Sequence, residues 1–245
     1  MTFDEEGPIV ARDSMPWQFD ELAHAGPEHL DPEYVAGFDE KSPTDWNDDV
    51  AALRALGIGA GSTVVDLGAG TGSFALALAP HVERVIAVDP SEAMVTAIRE
   101  KGIEAVRAGF MSYEHDGQGP EHLDPEYVAA VFTRNPLHHL PDFWKAASLQ
   151  RIAQLLKPGG VLRVRDIVYS FDPSETAATV NAWLASAPAD PTMGWTADQL
   201  AEHIREEHST YSWLIEPMLE RVGFEISDRW VSPNRMFAAY TCIRR

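Results

Sequence analysis

The nine residues VVDLGAGTG (64–72) limit which architectures the rest of this 245-residue chain can adopt. The first part is apolar and rich in valine, as a buried strand requires. The second part is a glycine-rich turn before a helical pattern that begins at Ser73. Glycines at such a turn let the backbone approach a ligand closely, and the following helix offers unpaired N–H groups. The run therefore predicts a strand, a ligand-binding turn and a helix.

Three details distinguish this turn from the glycine-rich turn of dinucleotide-binding enzymes. The dinucleotide pattern G-x-G-x-x-G requires glycine or alanine at position 73, where this chain has Ser73. Asp66 precedes the glycines, where it would repel a pyrophosphate but suit a positively charged ligand. Asp89 ends the next predicted strand, where a carboxylate can accept both hydroxyls of a ribose. A ligand with a ribose and a positive charge but no phosphate satisfies all three details.

Short β-branched runs alternate with helical patterns along the chain. Strands are predicted at 62–68, 83–90, 104–110, 127–135 and 160–170, and helices at 73–80, 91–101 and 141–157. Repeated strand–helix units with mostly apolar strands are typical of a parallel sheet that helices cover on both faces.

The C-terminal part has a different pattern. A helix is predicted over 210–222, and two strand-like runs follow at 224–231 and 236–243, joined by a turn at 232–234. These two strands are expected to pair as an antiparallel hairpin. The sequence therefore predicts an α/β, Rossmann-like fold with a seven-stranded, mostly parallel sheet.

Three segments are distinguished by composition. Residues 1–45 are rich in Pro, acidic and aromatic residues and are interpreted as an N-terminal arm or lid. Residues 46–245 form the main domain, in which the irregular tract 169–208 is expected to be a substrate-cap insertion. The segment GPEHLDPEYVA occurs identically at 26–36 and 119–129, and no physical reason for this duplication is evident.

Four motifs together carry a family resemblance. They are DLGAGTG (66–72), AVDPSEAM (87–94), NPLHHLPDFWKA (135–146) and LLKPGGVLRV (155–164). The set resembles the class I S-adenosylmethionine-dependent methyltransferases over residues 50–170, and 210–243 agree in layout. The resemblance implies S-adenosylmethionine as cofactor. The contacts it implies are Gly68, Gly70 and Gly72 around the amino acid part, Asp66 near its ammonium, Asp89 at the ribose, and Ser91 and Met94 beside the sugar or adenine.

The segment after the third strand departs from the family pattern. Many members have an acidic residue there that bonds the adenine amino group, but this chain has Gly109-Phe110-Met111. We therefore expect Phe110 and Met111 to provide an apolar wall or a backbone contact. Asn135, which follows the fourth strand, completes the predicted cofactor-binding residues.

Methyl transfer requires alignment of acceptor and methyl group, and an oxygen or nitrogen acceptor can also require removal of a proton. The strand ends single out the segment 133–135 and the two histidines after it. His138, His208 and Arg165 are the predicted catalytic residues. Tyr34, Trp46, His139 and Tyr211 are the predicted substrate contacts.

Each of these assignments has a structural alternative. Adjacent histidines face different directions, so at most one of His138 and His139 is expected to meet the substrate, and both could serve only in packing or capping. Arg165 could hold an anionic substrate group, but a structural ion pair is favoured. Packing is likewise the favoured alternative for Tyr34 and Trp46.

Composition excludes several classes of partner. The formal net charge is −19, from 38 acidic and 19 basic residues, which disfavours nucleic acid and anionic membrane surfaces. One cysteine excludes a multi-thiolate metal site, and no metal is predicted. The N-terminal residues lack a signal-peptide pattern and no apolar run is long enough to span a bilayer, so a cytoplasmic location is expected.

The predicted function is O- or N-methylation of a small organic molecule. A protein that binds the cofactor as a sensor or scaffold without turnover is the first alternative, and a nicotinamide oxidoreductase is the second. The sequence does not indicate the acceptor or the oligomeric state.

Overall fold

A mostly parallel β-sheet forms the centre of the computed structural model, which describes residues 17–41, 44–113 and 128–245. The strands are β1 (Thr63–Leu67), β2 (Arg84–Asp89), β3 (Glu104–Arg107), β4 (Val128–Arg134), β5 (Leu156–Tyr169), β6 (Thr210–Tyr211), β7 (Phe224–Val231) and β8 (Phe237–Arg244). Seven of them follow the order β3-β2-β1-β4-β5-β8-β7, and β6 pairs with β5 outside that path.

The direction of the strands confirms the predicted α/β fold. Strand β1 pairs in parallel with both β2 and β4, so the strand order reverses beside β1. Strand β8 runs antiparallel to both β5 and β7, as the C-terminal hairpin predicts. In open α/β sheets a ligand binds outside the carboxyl ends of the strands at the point of reversal. The topology therefore predicts a ligand site at the carboxyl ends of β1, β2 and β4.

Nine helices lie in the described ranges. They are α1 (Pro32–Ala36), α2 (Phe38–Lys41), α3 (Asn47–Ala55), α4 (Ser73–Leu78), α5 (Glu92–Glu100), α6 (Asp142–Leu155), α7 (Thr176–Ala185), α8 (Ala197–Glu206) and α9 (Ser212–Arg221). Ser91 caps α5 by accepting the N–H of Met94, as its position predicts. None of these helices combines the length and apolar character that crossing a bilayer requires.

The side chains of β1 alternate between two cores because successive residues of a strand point to opposite faces. Val65 and Leu67 belong to a core that includes residues of α6 and α9. Val64 belongs to a second core with residues of α3 and α4. The sheet is therefore covered by helices on both faces, as predicted.

One predicted element was wrong at its start. The helix expected over 210–222 begins at Ser212, because Thr210 and Tyr211 form β6 instead. Their partners Val168 and Tyr169 extend beyond the residues of β5 that pair with β4 and β8, so their backbone groups are free for β6. The second copy of the duplicated segment lies outside the described residues except for its last two positions, as do residues 1–16 of the arm.

Candidate active site

A cavity of about 190 Å³ lies at the carboxyl ends of β1, β2 and β4. Its floor is formed by the strand ends and the glycine-rich turn. Its outer wall is formed by the N-terminal segment, through Phe19, Glu21, Ala25, His29, Phe38 and Asp39. The arm thus covers the position that the strand order indicates for a ligand.

Part of the predicted site is brought together in this cavity. The predicted residues that line it are Asp66, Gly68, Gly70, Asp89, Met94, Phe110, Asn135, Trp46 and His139. The predicted residues that do not line it are Gly72, Ser91, Met111, His138, His208, Arg165, Tyr34 and Tyr211.

Asp66 is a buried carboxylate at the end of β1, with 2% of its surface exposed. Its Oδ2 has no hydrogen-bond partner in the part of the chain that the structure describes. Burial raises the pKa of Asp66 to about 8, and the nearby charge of Asp89 contributes to the shift. A positive charge in the cavity would remove this electrostatic cost.

Asp89 lies at the end of β2, where two backbone groups hold it. Its Oδ2 accepts the N–H of Gly70 at 2.9 Å, and its Oδ1 accepts the N–H of Ser91 at 2.9 Å. Burial raises the pKa of Asp89 to about 6, although both hydrogen bonds oppose the shift. A carboxylate offers about four lone-pair positions, so two remain for ribose hydroxyls.

The glycines of the turn have different roles. Gly68 has φ +74°, and a Cβ there would lie 2.4 Å from Cγ of Pro136, so only glycine fits. At Gly72, with φ +76°, a Cβ would lie 2.9 Å from Cγ1 of Ile98, which shows that this glycine lets α4 pack beside α5. A Cβ on Gly70 would meet no atom within 4 Å, so this residue presents an open face.

These observations fit the cofactor that the sequence predicts. The orphaned oxygen of Asp66 suits an ammonium group, the remaining lone pairs of Asp89 suit a ribose, and the open face of Gly70 leaves space for a ligand beside the turn. A pyrophosphate would add negative charge to two carboxylates whose pKa values are already raised.

The segment after β3 binds a residue that sequence reasoning missed. The N–H groups of Phe110 and Met111 donate to the carboxylate of Glu21, at 2.6 Å and 2.7 Å. Phe110 lines the cavity as predicted, but Met111 does not, because its side chain packs by Ser148, whose Oγ lies 3.4 Å from its Sδ. The only sequence signal for Glu21 was an acidic residue in an aromatic arm.

Further contacts tie the arm to the main domain. The hydroxyl of Ser91 donates to the carbonyl of His29 at 2.8 Å, so Ser91 serves in capping and arm docking. Asp39 accepts hydrogen bonds from the Thr71 hydroxyl and from Lys101 Nζ. Asp39 was also missed by sequence reasoning.

The two adjacent histidines face different surroundings, as expected, but in the opposite assignment. His138 is buried, with Nδ1 2.7 Å from Oδ1 of Asp166, because the Leu137–His139 3₁₀ turn directs it inward. His139 lines the cavity, and its Nδ1 lies 2.9 Å from Oε2 of Glu207. His139 is therefore the histidine of the pair that faces the cavity.

A network of imidazoles and carboxylates surrounds this pair. The ring of His203 lies 4.8 Å from that of His138, and burial together with the charge of His138 lowers the pKa of His203 to about 4. His138, His139 and Glu207 also place potential metal-ligand atoms within 4.8 Å of one another. Nδ1 of His138 lies within hydrogen-bond distance of Asp166, and Nδ1 of His139 lies within hydrogen-bond distance of Glu207.

The other two predicted catalytic residues, Arg165 and His208, do not line the cavity. Arg165 lies over the ring of Trp230 at 5.1 Å and 3.9 Å from Asp49, which also binds Arg163 at 2.6 Å. This is the structural ion pair that the sequence favoured. His208 uses its backbone, donating to the His138 carbonyl at 2.8 Å, and its side chain does not line the cavity.

Two predicted substrate contacts likewise belong to aromatic packing. Tyr34 packs with His29 and Phe38 in a group of three rings whose centroids lie 5.7–6.0 Å apart. Tyr211 stacks on Trp213 at 5.4 Å, and the pairing of β6 holds it beside β5.

Trp46 does line the cavity, where the guanidinium of Arg134 lies 4.8 Å from its ring. Arg134 also lines the cavity, and its buried Nη1 has no hydrogen-bond partner among the described residues.

Comparisons with known proteins agree with this geometry. Residues 64–160 match the family model of a methyltransferase domain. An uncharacterised methyltransferase of Bacillus pumilus is 26% identical over 195 residues, covering 79% of this chain and 83% of that protein. The uncharacterised methyltransferase YcgJ of Bacillus subtilis is 31% identical over 140 residues, which span 55% of this chain and about half (52%) of that protein.

Solved structures share the fold. Magnesium protoporphyrin IX methyltransferase from Synechocystis PCC 6803, with bound S-adenosylhomocysteine, superposes with a TM-score of 0.57 at 18% identity and covers 81% of both chains. A Haemonchus contortus N-methyltransferase in complex with phosphomonomethylethanolamine and S-adenosylhomocysteine has a TM-score of 0.59 at 19% identity, covering 89% of this chain and 47% of that one. Residues 64–160 are therefore similar to methyltransferase domains, and the chain shares its fold with solved methyltransferases.

Proposed function

We propose that this protein is an S-adenosylmethionine-dependent methyltransferase that methylates an oxygen or nitrogen atom of a small organic molecule. When bound, S-adenosylmethionine supplies an activated methyl group for in-line displacement. The observation that carries the proposal is the aromatic wall of the cavity, which includes Phe19 and Phe38 from the arm and Trp46. Mostly apolar walls with few polar groups are typical of small-molecule sites. A net charge of −19 disfavours a nucleic acid as acceptor.

The cofactor in this proposal is held by the two aspartates. Asp66 pairs with the ammonium group, Asp89 accepts the ribose hydroxyls, and Gly68 and Gly70 allow close approach. Arg134 offers a cation to a carboxylate in the same cavity, since its Nη1 lacks a partner among the described residues. Asn135 follows β4 beside Arg134 and adopts φ +67°. Its N–H donates to the carbonyl of Arg165 at 2.9 Å, which holds the backbone in place at this side of the cavity.

His139 is the residue proposed to remove a proton from the acceptor. In the neutral tautomer that donates Nδ1–H to Glu207, the lone pair of Nε2 can accept a proton. The hydrogen bond to Glu207 also stabilises the imidazolium that forms. Because His139 lines the cavity, the proton acceptor and the methyl donor share one enclosed space.

The test is transfer of a labelled methyl group. The protein is incubated with S-adenosylmethionine that carries a tritiated methyl group and with a size-fractionated cell extract. The proposal predicts label in the low-mass fraction. Label only in protein or nucleic acid would contradict it, and tight cofactor binding without transfer to any fraction would favour the sensor.

Once an acceptor is found, His139→Ala is expected to lower kcat roughly 100- to 10,000-fold, the usual contribution of a general base. The affinity for S-adenosylhomocysteine should not change. His81→Ala is the matched control. His81 lies just before β2, at the amino end of that strand, and it does not line the cavity at the carboxyl ends. An unchanged kcat in His139→Ala would refute the assigned role.

A further inference from the structure

Glu21 places a half-buried carboxylate beside the segment that follows β3. Its Oε2 accepts the N–H of Phe110 and its Oε1 accepts the N–H of Met111, so both oxygens are held by consecutive backbone groups. Glu21 precedes Phe110 by 89 positions and belongs to the arm. The N–H groups of Phe110 and Met111 thus form a binding position, called the seat below, for a carboxylate of the arm.

The shape of the seat depends on Gly109. A Cβ at this position would lie 2.5 Å from both Cδ and Oε2 of Glu21, so any other residue would displace the carboxylate. The backbone around it is fixed as well. Gly109 donates its N–H to Ser112 Oγ at 2.8 Å, and Arg151 donates to the carbonyls of Phe110 and Tyr113. The segment 109–113 is therefore rigidly shaped to receive Glu21.

The seat is close to the residue proposed to hold the ribose. Strand β3 pairs with β2, with Asp89 opposite Arg107, and the carbonyl of Asp89 accepts the N–H of Ala108. Met94 and Phe110 line the cavity as apolar side chains beside this edge. A nucleoside with its ribose at Asp89 would direct its base along these apolar side chains toward Glu21.

We propose that Glu21 accepts a hydrogen bond from the exocyclic amino group of the cofactor's adenine. The two backbone N–H groups occupy two of about four lone-pair positions, so the carboxylate can accept a further donor. Glu21 in this way replaces the acidic residue that 109–111 lack. Because Glu21 belongs to the arm, this hydrogen bond would link the arm to the cofactor. The inference rests on the proposed cofactor site at Asp66 and Asp89, and it is independent of the acceptor.

The test compares two ligands that differ at the amino group. Affinities for S-adenosylhomocysteine and for S-inosylhomocysteine, which carries an oxo group there, are measured by calorimetry in the wild type and in Glu21→Ala. Loss of a hydrogen bond to a charged group predicts a roughly 10- to 100-fold weaker affinity for the adenine ligand. The affinity for the inosine ligand should change much less, so the preference of the wild type for adenine disappears.

Two further variants give the result its meaning. Gly109→Ala should reproduce the lost preference, because it displaces the carboxylate without removing it, and circular dichroism checks that the variant remains folded. Glu33→Ala is the control, since Glu33 is an exposed acidic residue of the same arm. Equal losses for both ligands would reduce Glu21 to a structural contact and overturn the proposal. A gain in adenine affinity would overturn it too, since Glu21 would then compete with the base.

The outcome is separable from that of the proposed function. Methyl transfer to a small molecule can succeed while the adenine preference is unaffected by Glu21, and the reverse can also occur. If the wild type binds neither ligand, both this inference and the cofactor site at the two aspartates are refuted.

Discussion

Asp66 and Asp89 lie on the adjacent strands β1 and β2. Both side chains are buried, so water does not solvate their charges. Burial is the main cause of both raised pKa values, and the charge of Asp89 adds to the shift at Asp66. Burying an ionised carboxylate without a cation is unfavourable in free energy. Two such groups at the floor of a cavity therefore indicate a positively charged ligand. Asp89 in addition organises the glycine turn through the N–H of Gly70.

Replacement of Asp89 tests its role at the ribose. Asp89→Ala is expected to weaken S-adenosylhomocysteine binding by about 1–3 kcal/mol, because ribose hydroxyls lose a charged acceptor. Isothermal titration calorimetry measures the change. Asp198→Ala is the matched control, since Asp198 is an exposed aspartate in the first turn of α8. Equal affinity in wild type and Asp89→Ala would remove Asp89 from the site.

At the residue scale, the sequence predicted the side chains that local motifs fix. Asp66 and Asp89 end predicted strands, and this position determined that they meet at one edge of the sheet. The orientation of His138 and His139 was not predictable, because it depends on a 3₁₀ turn and on Asp166 and Glu207, which are distant in sequence. Glu21 was missed for the same reason.

At the element scale, the glycine turn separates ligand binding from packing. Gly70 faces open space, whereas Gly72 begins α4 in the left-handed conformation beside Ile98. The same three-glycine motif therefore contains a residue that matters for the cofactor and one that matters for the fold. A sequence motif alone assigns both to the ligand.

Alanine substitutions distinguish the two roles. Gly72→Ala is expected to lower the free energy of unfolding by roughly 2–4 kcal/mol, because left-handed strain adds to overpacking against Ile98. Gly70→Ala should cost only about 1–2 kcal/mol of strain and should weaken cofactor binding. Urea denaturation and calorimetry measure these quantities. If Gly70→Ala were the less stable of the two variants, the packing role of Gly72 would be wrong.

Most elements were predictable because hydrophobic period and turn residues agree locally. Ser91 caps the N-terminus of α5, and the two last strands form the hairpin. The error at 210–222 arose because pairing with the free end of β5 prevailed over helical propensity at Thr210 and Tyr211. The helix predicted over 141–157 ends at Leu155, because Leu156 already pairs with Val128 of β4.

At the scale of the whole molecule, the arm is bound to the domain at three places around one cavity. Glu21 binds the backbone after β3, the carbonyl of His29 binds Ser91, and Asp39 binds Thr71 and Lys101. We propose on this basis that residues 1–45 act as a lid over residues 46–245. The tract 169–208, which contains α7 and α8, remains a proposed substrate cap.

The charge of the whole molecule favours the same ligand as the site. The chain has a net charge of −19, and four acidic side chains line the cavity: Glu21, Asp39, Asp66 and Asp89. Such a field attracts a cationic nucleoside and repels phosphates. It also favours protonated carboxyls in the free protein, so cation binding and proton release are linked.

Proton release on binding of S-adenosylmethionine tests this account most directly. With the pKa of Asp66 near 8, its carboxyl is mainly protonated at pH 7 in the free protein. A bound ammonium group favours the ionised form, so binding should release close to one proton and affinity should rise with pH up to about 8. Calorimetry at pH 7 in two buffers of different ionisation enthalpy counts the protons. The account predicts release in the wild type and its loss in Asp66→Asn; proton uptake, or the same release in both proteins, would contradict it.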